Sequence, residues 1–148
     1  MLTNQGSPNL YHPAEVDAIR KAIDKTGRSI VLSLSPGPMR TADAAHLNTT
    51  TNMWRMVNDF WDSNGLSTLA QVFSASNAWQ AVTTLGVGHW PDADMFPLGY
   101  LGPRCPVHAA GPTALSQNQQ VTVMSPWSVV PPPPLFRGTV PPPRPAPP

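Results

Sequence analysis

A nearly unbroken apolar run, Ser29-Ile30-Val31-Leu32-Ser33-Leu34, does most to constrain how this chain can fold. Rich in β-branched residues and without polar alternation, it reads as a short strand buried on both faces, the pattern of parallel sheets. The segment before it reads as a helix from Ala14 to Lys25. Pro13 suits the first turn, Glu15 and Asp17 favour the positive helix end, and Val16, Ile19, Ala22 and Ile23 share one face. Gly27 ends the helix, and Ser35-Pro36-Gly37-Pro38 stops the strand in a loop. Helix, tight turn, buried strand and loop make up one unit of a parallel α/β fold.

The same succession returns twice. Thr41 to Leu47 is weakly helical, Asn52 to Met56 is a brief strand, and a loop holding Asp59 follows. Leu66 to Trp79 reads as a helix with Leu66, Leu69, Val72 and Phe73 inward. Gly88-His89-Trp90-Pro91-Asp92-Ala93-Asp94-Met95 then places acids at a strand end. Leu115 to Val130 is the last helical stretch, and Pro126 is expected to interrupt it, since a mid-helix proline costs about 3 kcal/mol. Parallel α/β folds carry their chemistry at the C-terminal strand ends, where these acids fall.

Composition narrows the function. The 148 residues suffice for one modest core but not for a whole (β/α)8 barrel, which needs about 200 or more. Charged residues make up 11% and net charge is +1, which gives no electrostatic case for nucleic acid or an anionic membrane surface. No apolar stretch approaches the roughly 20 residues of a membrane span. The first residues lack the basic start and apolar run of a signal peptide, and the compartment stays open. Cys105 is the one cysteine, so no internal disulfide is expected. His12, His46, His89 and His108 show no ligand spacing, so neither a metal nor another cofactor is expected, and His46 is read as lying on a helix surface. Half of the 20 prolines lie between Pro131 and Pro148. The expected organisation is an irregular N-terminus over 1–11, a catalytic domain over 12–138 and a Pro-rich tail over 139–148. That tail is read as disordered polyproline beyond about Pro141; it could dock an aromatic-lined groove, but a bare proline run is poorly specific.

Chemistry concentrates in Asn52-Met53-Trp54-Arg55, with Asp59 and Asp62 beyond it. An acid beside a guanidinium and a tryptophan suits sugars, which need carboxylates for proton transfer and flat walls for their C–H faces. The same four-residue spacing also produces plain surface salt bridges.

Taken together, the segments His12–Gly37, Asn52–Asp62 and Gly88–Met95 resemble the α-galactosidase-type glycoside hydrolases (family 27, the melibiase clan). Leu115–Ser125 is similar to that family's penultimate barrel helix, and Pro134–Gly138 to the approach to its last strand. The resemblance implies an α/β fold, a partial (β/α)8 TIM barrel holding about strands five to seven with flanking helices. It implies retaining hydrolysis of terminal α-D-galactosides, in which one carboxylate attacks the anomeric carbon and a second first protonates the leaving oxygen. It gives Asp59 the acid/base position, Arg55 that of a substrate-contacting residue, and Trp54 that of the barrel tryptophan beside them. Trp90, Asp92 and Asp94 match a motif that closes the pocket and orders its hydrogen bonds. Both acids are read as structural pocket residues rather than proton-transfer groups. Ser35 stands where some members have glutamate, which leaves the sugar's C2 substituent open between hydroxyl and acetamide.

Departures from the family qualify these expectations. Members often carry cysteines near the positions of Leu34 and Thr51, so those disulfides are absent here. The nucleophile implied by the family is an aspartate in a Lys-Tyr-Asp-like motif shortly before the helix matching Pro13–Lys25, and no such motif follows Met1. A proton donor without a nucleophile loses covalent catalysis, so this polypeptide alone is expected not to hydrolyse α-galactosides. The other reading is a non-catalytic remnant with at most weak sugar or partner binding. Uncovered strand edges are expected to favour self-association.

Overall fold

Three short parallel strands carry the fold: β1 (Ser33–Leu34), β2 (Met53–Arg55) and β3 (Trp90–Asp92), in that spatial order. The computed structural model describes residues 11–63, 65–83, 88–102, 110–129 and 135–138. The tail at 139–148, residues 1–10, Cys105, His108 and the Leu66 side chain lie outside the described residues. Ser33 pairs with Met53 and Leu34 with Trp54, while Trp54 faces Pro91 and Arg55 faces Asp92. That register brings the C-terminal ends of all three strands to one rim. Asn52 fixes the opposite end: its carbonyl Oδ1 accepts the Leu32 N–H at 2.9 Å, and its Nδ2 donates to the Gly88 carbonyl at 3.0 Å.

Helix α1 (Pro13–Lys25) forms where expected, with Pro13 in the first turn and Gly27 behind its end. Gly27 sits at φ 65° in open space, so the backbone conformation rather than crowding asks for glycine. Val16 is buried and Ile19 and Ile23 pack against the core, whereas Ala22 is exposed. The expected weak helix is a 3₁₀ turn (Thr41–Asp43) running into α2 (Ala44–Thr50), with Ala44 and Leu47 buried.

The apolar run is less buried than its composition predicts. Leu32 and Leu34 are covered, but Ile30 is 38% and Val31 67% exposed. The strand is two residues long and alternates, because its side chains point to opposite faces and only one face meets the core. Helix α3 (Gly65–Gln80) buries Leu69 and Val72 as expected, but Phe73 is 53% exposed and Trp79 takes the inward place. Helix α4 (Gln117–Val129) is not interrupted: it runs through Pro126, which is buried. Proline removes the N–H that the Thr122 carbonyl would have received. Around it the Ser125 and Ser128 hydroxyls donate to the Val121 and Met124 carbonyls at 3.0 and 2.8 Å.

After β3 the chain turns sharply at Asp94, whose φ of 74° is left-handed. The next strand, β4 (Met95–Pro97), therefore leaves β2 and pairs in parallel with β7 (Leu135–Arg137). Between these two lies a small antiparallel ladder, β5 (Tyr100–Leu101) with β6 (Gly111–Pro112), which periodicity could not reveal because each arm is two residues long. Gly138 follows β7 at φ 141°, and a Cβ there would meet the Leu98 carbonyl oxygen at 1.9 Å. The core joins the sheet to the helices through Leu47, Trp54, Phe60, Val72, Trp79 and Phe96, all 2% exposed or less. Fully burying such side chains stabilises by about 1.5–3 kcal/mol each.

Candidate active site

Arg55, the last residue of β2, organises the rim. Its side chain is 4% exposed, so the acid–arginine spacing is not a plain surface pair. Nη1 donates to Asp94 Oδ1 at 2.9 Å and to Ser35 Oγ at 3.2 Å, and Nη2 donates to Asp59 Oδ1 at 3.1 Å. Surface pairs elsewhere, such as Arg20 with Asp24, hold a carboxylate that is 63% exposed and contribute only about 0.3–0.5 kcal/mol. The Arg55 cluster differs because its centre is removed from water.

Asp59 is the outward member, with its side chain 40% exposed. The loop that carries it, between β2 and α3, is tied on both sides. Met56 N–H donates to the Asp92 carbonyl at 2.9 Å, and Phe60 N–H donates to Asp94 Oδ2 at 2.6 Å. Asp62, 7% exposed, accepts the Ala114 N–H at 2.7 Å and joins the loop to the segment before α4. Asp59 thus stands on a short span of chain held before it by the Asp92 main-chain carbonyl and after it by the Asp94 and Asp62 carboxylates.

Asp92 and Asp94 are 4% and 8% exposed. Burial lifts both above the ordinary carboxylate range and outweighs the hydrogen bonds and the Arg55 charge that favour ionisation. The Asp94 amide donates to Asp92 Oδ1 at 2.9 Å, which braces the turn.

The remaining candidates divide. Ser35 is exposed at the end of β1 and touches Arg55, so it lines the rim. Trp90 is half-buried and opposite Met53, two residues earlier along β3 than Asp92 and one layer below the rim. Trp54 is 0% exposed and packs on Trp79, ring centres 5.5 Å apart. Strand alternation sends it to the helix side, opposite Arg55, and a sugar cannot reach it. The flat apolar wall expected from Trp54 is therefore a core contact. Sequence reasoning missed the loop ties made by Asp94 and Asp62, because their partners lie 34 and 52 residues away. The left-handed Asp94 was in principle readable, since aspartate tolerates that region better than most residues.

His46 lies on helix α2, as expected, but is half-buried there by partners from outside that helix. Its Nδ1 meets the Tyr11 hydroxyl, and its Nε2 lies 3.0 Å from Asp17 Oδ1, a half-buried chain joining α1 to α2. Among the described residues no His, Cys, Asp or Glu group is arranged to hold a metal ion, and no helix is long and apolar enough to cross a membrane.

Comparison with known proteins gives this geometry a context. The sequence profile described as alpha galactosidase A matches residues 11–140. Alpha-galactosidase A of Homo sapiens is 31% identical over 113 residues, 74% of this chain and 24% of that protein. The crystal structure of Abp, a GH27 β-L-arabinopyranosidase from Geobacillus stearothermophilus, matches with a TM-score of 0.78 at 42% identity, over 86% of this chain and 29% of its own. A variant of the same enzyme in complex with arabinose matches equally well. The chain spans about a quarter of the length of these relatives.

Proposed function

Because this chain belongs to the alpha-galactosidase A family of glycoside hydrolases, we propose that it forms the proton-transfer side of a retaining glycosidase site, with Asp59 as acid/base. One observation carries the reading. Asp59 is the water-accessible carboxylate of an otherwise buried charge cluster, at the C-terminal rim of a parallel sheet. In this reading β1, β2, the broken pair β3–β4 and β7 are strands five to eight of a (β/α)8 barrel.

Retaining hydrolysis uses two carboxyls about 5–5.5 Å apart. One attacks the anomeric carbon as the glycosidic bond breaks. Asp59 gives its proton to the departing oxygen and later takes one from the water that releases the sugar. Asp94 is committed to Arg55 and to the Phe60 amide, and Asp92 to the Asp94 amide. Neither suits attack on carbon, so in this reading Asp59 needs an attacking carboxylate that neither of them supplies. Arg55 aims Asp59, and through Ser35 it reaches the edge of the site where a sugar hydroxyl would lie.

The substrate class is a galactose-configured pyranoside. α-D-Galactopyranosides and β-L-arabinopyranosides share ring hydroxyl geometry and differ in the C5 hydroxymethyl group, so the rim around Arg55 and Ser35 serves either.

Calorimetric titration of the pure chain with D-galactose and with L-arabinose tests the reading, alongside release of nitrophenol from the corresponding nitrophenyl glycosides. Saturable heat with at least one sugar, and no release above the Asp59→Asn variant, is expected. Absence of heat with both sugars would leave the non-catalytic remnant as the better account. Release abolished by Asp59→Asn would show that a nucleophile is present after all.

A further inference from the structure

The Asp59 carboxylate is reached by two separate routes that meet at one residue. The first runs through the main chain: Phe60, the residue after Asp59, gives its N–H to Asp94 Oδ2 at 2.6 Å. The second runs through the side chains: Asp94 Oδ1 takes Arg55 Nη1 at 2.9 Å, and Arg55 Nη2 reaches Asp59 Oδ1 at 3.1 Å. We propose that Asp94 is a positioning residue that sets where the Asp59 carboxylate stands. The proposal rests on the reading of Asp59 as acid/base for its catalytic meaning, though not for its geometry.

Asp94 is suited to this by three features acting together. Its left-handed backbone, φ 74°, turns the chain two residues after β3, and its side chain reaches the loop after β2. Its 8% exposure keeps water from competing for either oxygen. Its oxygens face the neutral Phe60 amide on one side and the Arg55 guanidinium on the other, with the Met95 amide as a further donor. A carboxylate satisfies both sides, whereas an amide side chain would present an NH₂ group to one of them. Pinning the residue after Asp59 and one nitrogen of Arg55 leaves the carboxylate at 59 little room to turn. Proton transfer needs the acid within hydrogen-bond reach of the departing oxygen, so a loosened Asp59 would cost rate and affinity.

A turn-forming role and a positioning role predict opposite results for glycine. If Asp94 served only to make the left-handed turn, Asp94→Gly would be harmless, since glycine adopts that conformation freely. If it positions Asp59, Asp94→Gly removes both ties while easing the backbone. The test is NMR on the full chain, reading amide exchange at Phe60 and the χ1 couplings of Asp59, with galactose and arabinose affinities by calorimetry. In Asp94→Gly, Phe60 exchange is expected to accelerate about 10- to 100-fold, the loss of a charge-assisted hydrogen bond. Asp59 is expected to average among rotamers, and sugar affinity to fall. Asp94→Asn keeps one acceptor and is expected to lie between. A glycine variant with wild-type Phe60 exchange and a single Asp59 rotamer would overturn the proposal. Should that variant not fold, wild-type exchange and rotamer in Asp94→Asn would overturn it equally. Wild-type protein that binds neither sugar would remove the acid/base reading, while the two NMR measurements would still decide the clamp.

Discussion

Arg55 and Asp59 meet at 3.1 Å across four residues, yet one side chain is 4% exposed and the other 40%. The pair therefore spans the boundary between core and solvent. A buried cation at the base holds an acid that is partly exposed to solvent. Several measurable consequences arise from that asymmetry and from the packing beneath it.

Removing the cation should be costly. Arg55→Met leaves Asp94 buried beside a missing partner, and breaking a buried ion pair from one side costs about 3–5 kcal/mol. Urea denaturation at neutral pH should show a loss of that size, and a smaller one under mild acid, where Asp92 and Asp94 take up protons. A loss under about 1 kcal/mol at neutral pH, the value of an exposed pair, would mean that water already reaches the cluster.

Stability should fall as pH rises through the range in which Asp92 and Asp94 ionise. Burial raises both, so over that range the folded chain binds more protons than the unfolded one. Their contribution is fully present below the ordinary carboxylate value and is lost as pH climbs past the raised values. Thermal midpoints measured across this window should decline with pH, and Asp92→Asn should flatten the decline. Equal slopes for variant and wild type would contradict it.

A second titration lies at alkaline pH. Burial, then the charges of Asp43 and Asp17, push the Tyr11 phenol up to about 12, although the Thr50 hydroxyl opposes them. Neutral Tyr11 is the form the fold favours, so its contribution holds below the ordinary value of 10.0 and disappears as pH passes about 12. Ultraviolet difference titration should show a late phenolate step that Tyr11→Phe removes. The same variant should weaken the docking of α1 on α2.

The core contact between Trp54 and Trp79 should be the most sensitive apolar position. Both rings are 2% exposed or less, and truncating so large a side chain leaves a cavity costing about 3–5 kcal/mol. Trp79→Ala should lower the unfolding free energy from urea denaturation by that amount, whereas Phe73→Ala, on a side chain 53% exposed, should stay within about 0.5 kcal/mol. Comparable losses would reverse the assignment of the inward face of α3.

By itself, the sequence determined what depends on near neighbours. Pro13 and Gly27 bound α1, the apolar run located β1, and the spacing of Leu69 and Val72 oriented part of α3. Arg55 and Asp59 could be paired because four residues separate them. Tertiary structure alone decided what depends on distant partners. It exposed Val31 and Phe73 and buried Trp54, because an apolar side chain is covered only where another element packs on it. It also made His46 an interface residue and turned Asp94 back onto Phe60, through partners 35 and 34 residues away along the chain. Periodicity reports which way a residue faces within its own element, and only chain-distant contacts settle what it meets there.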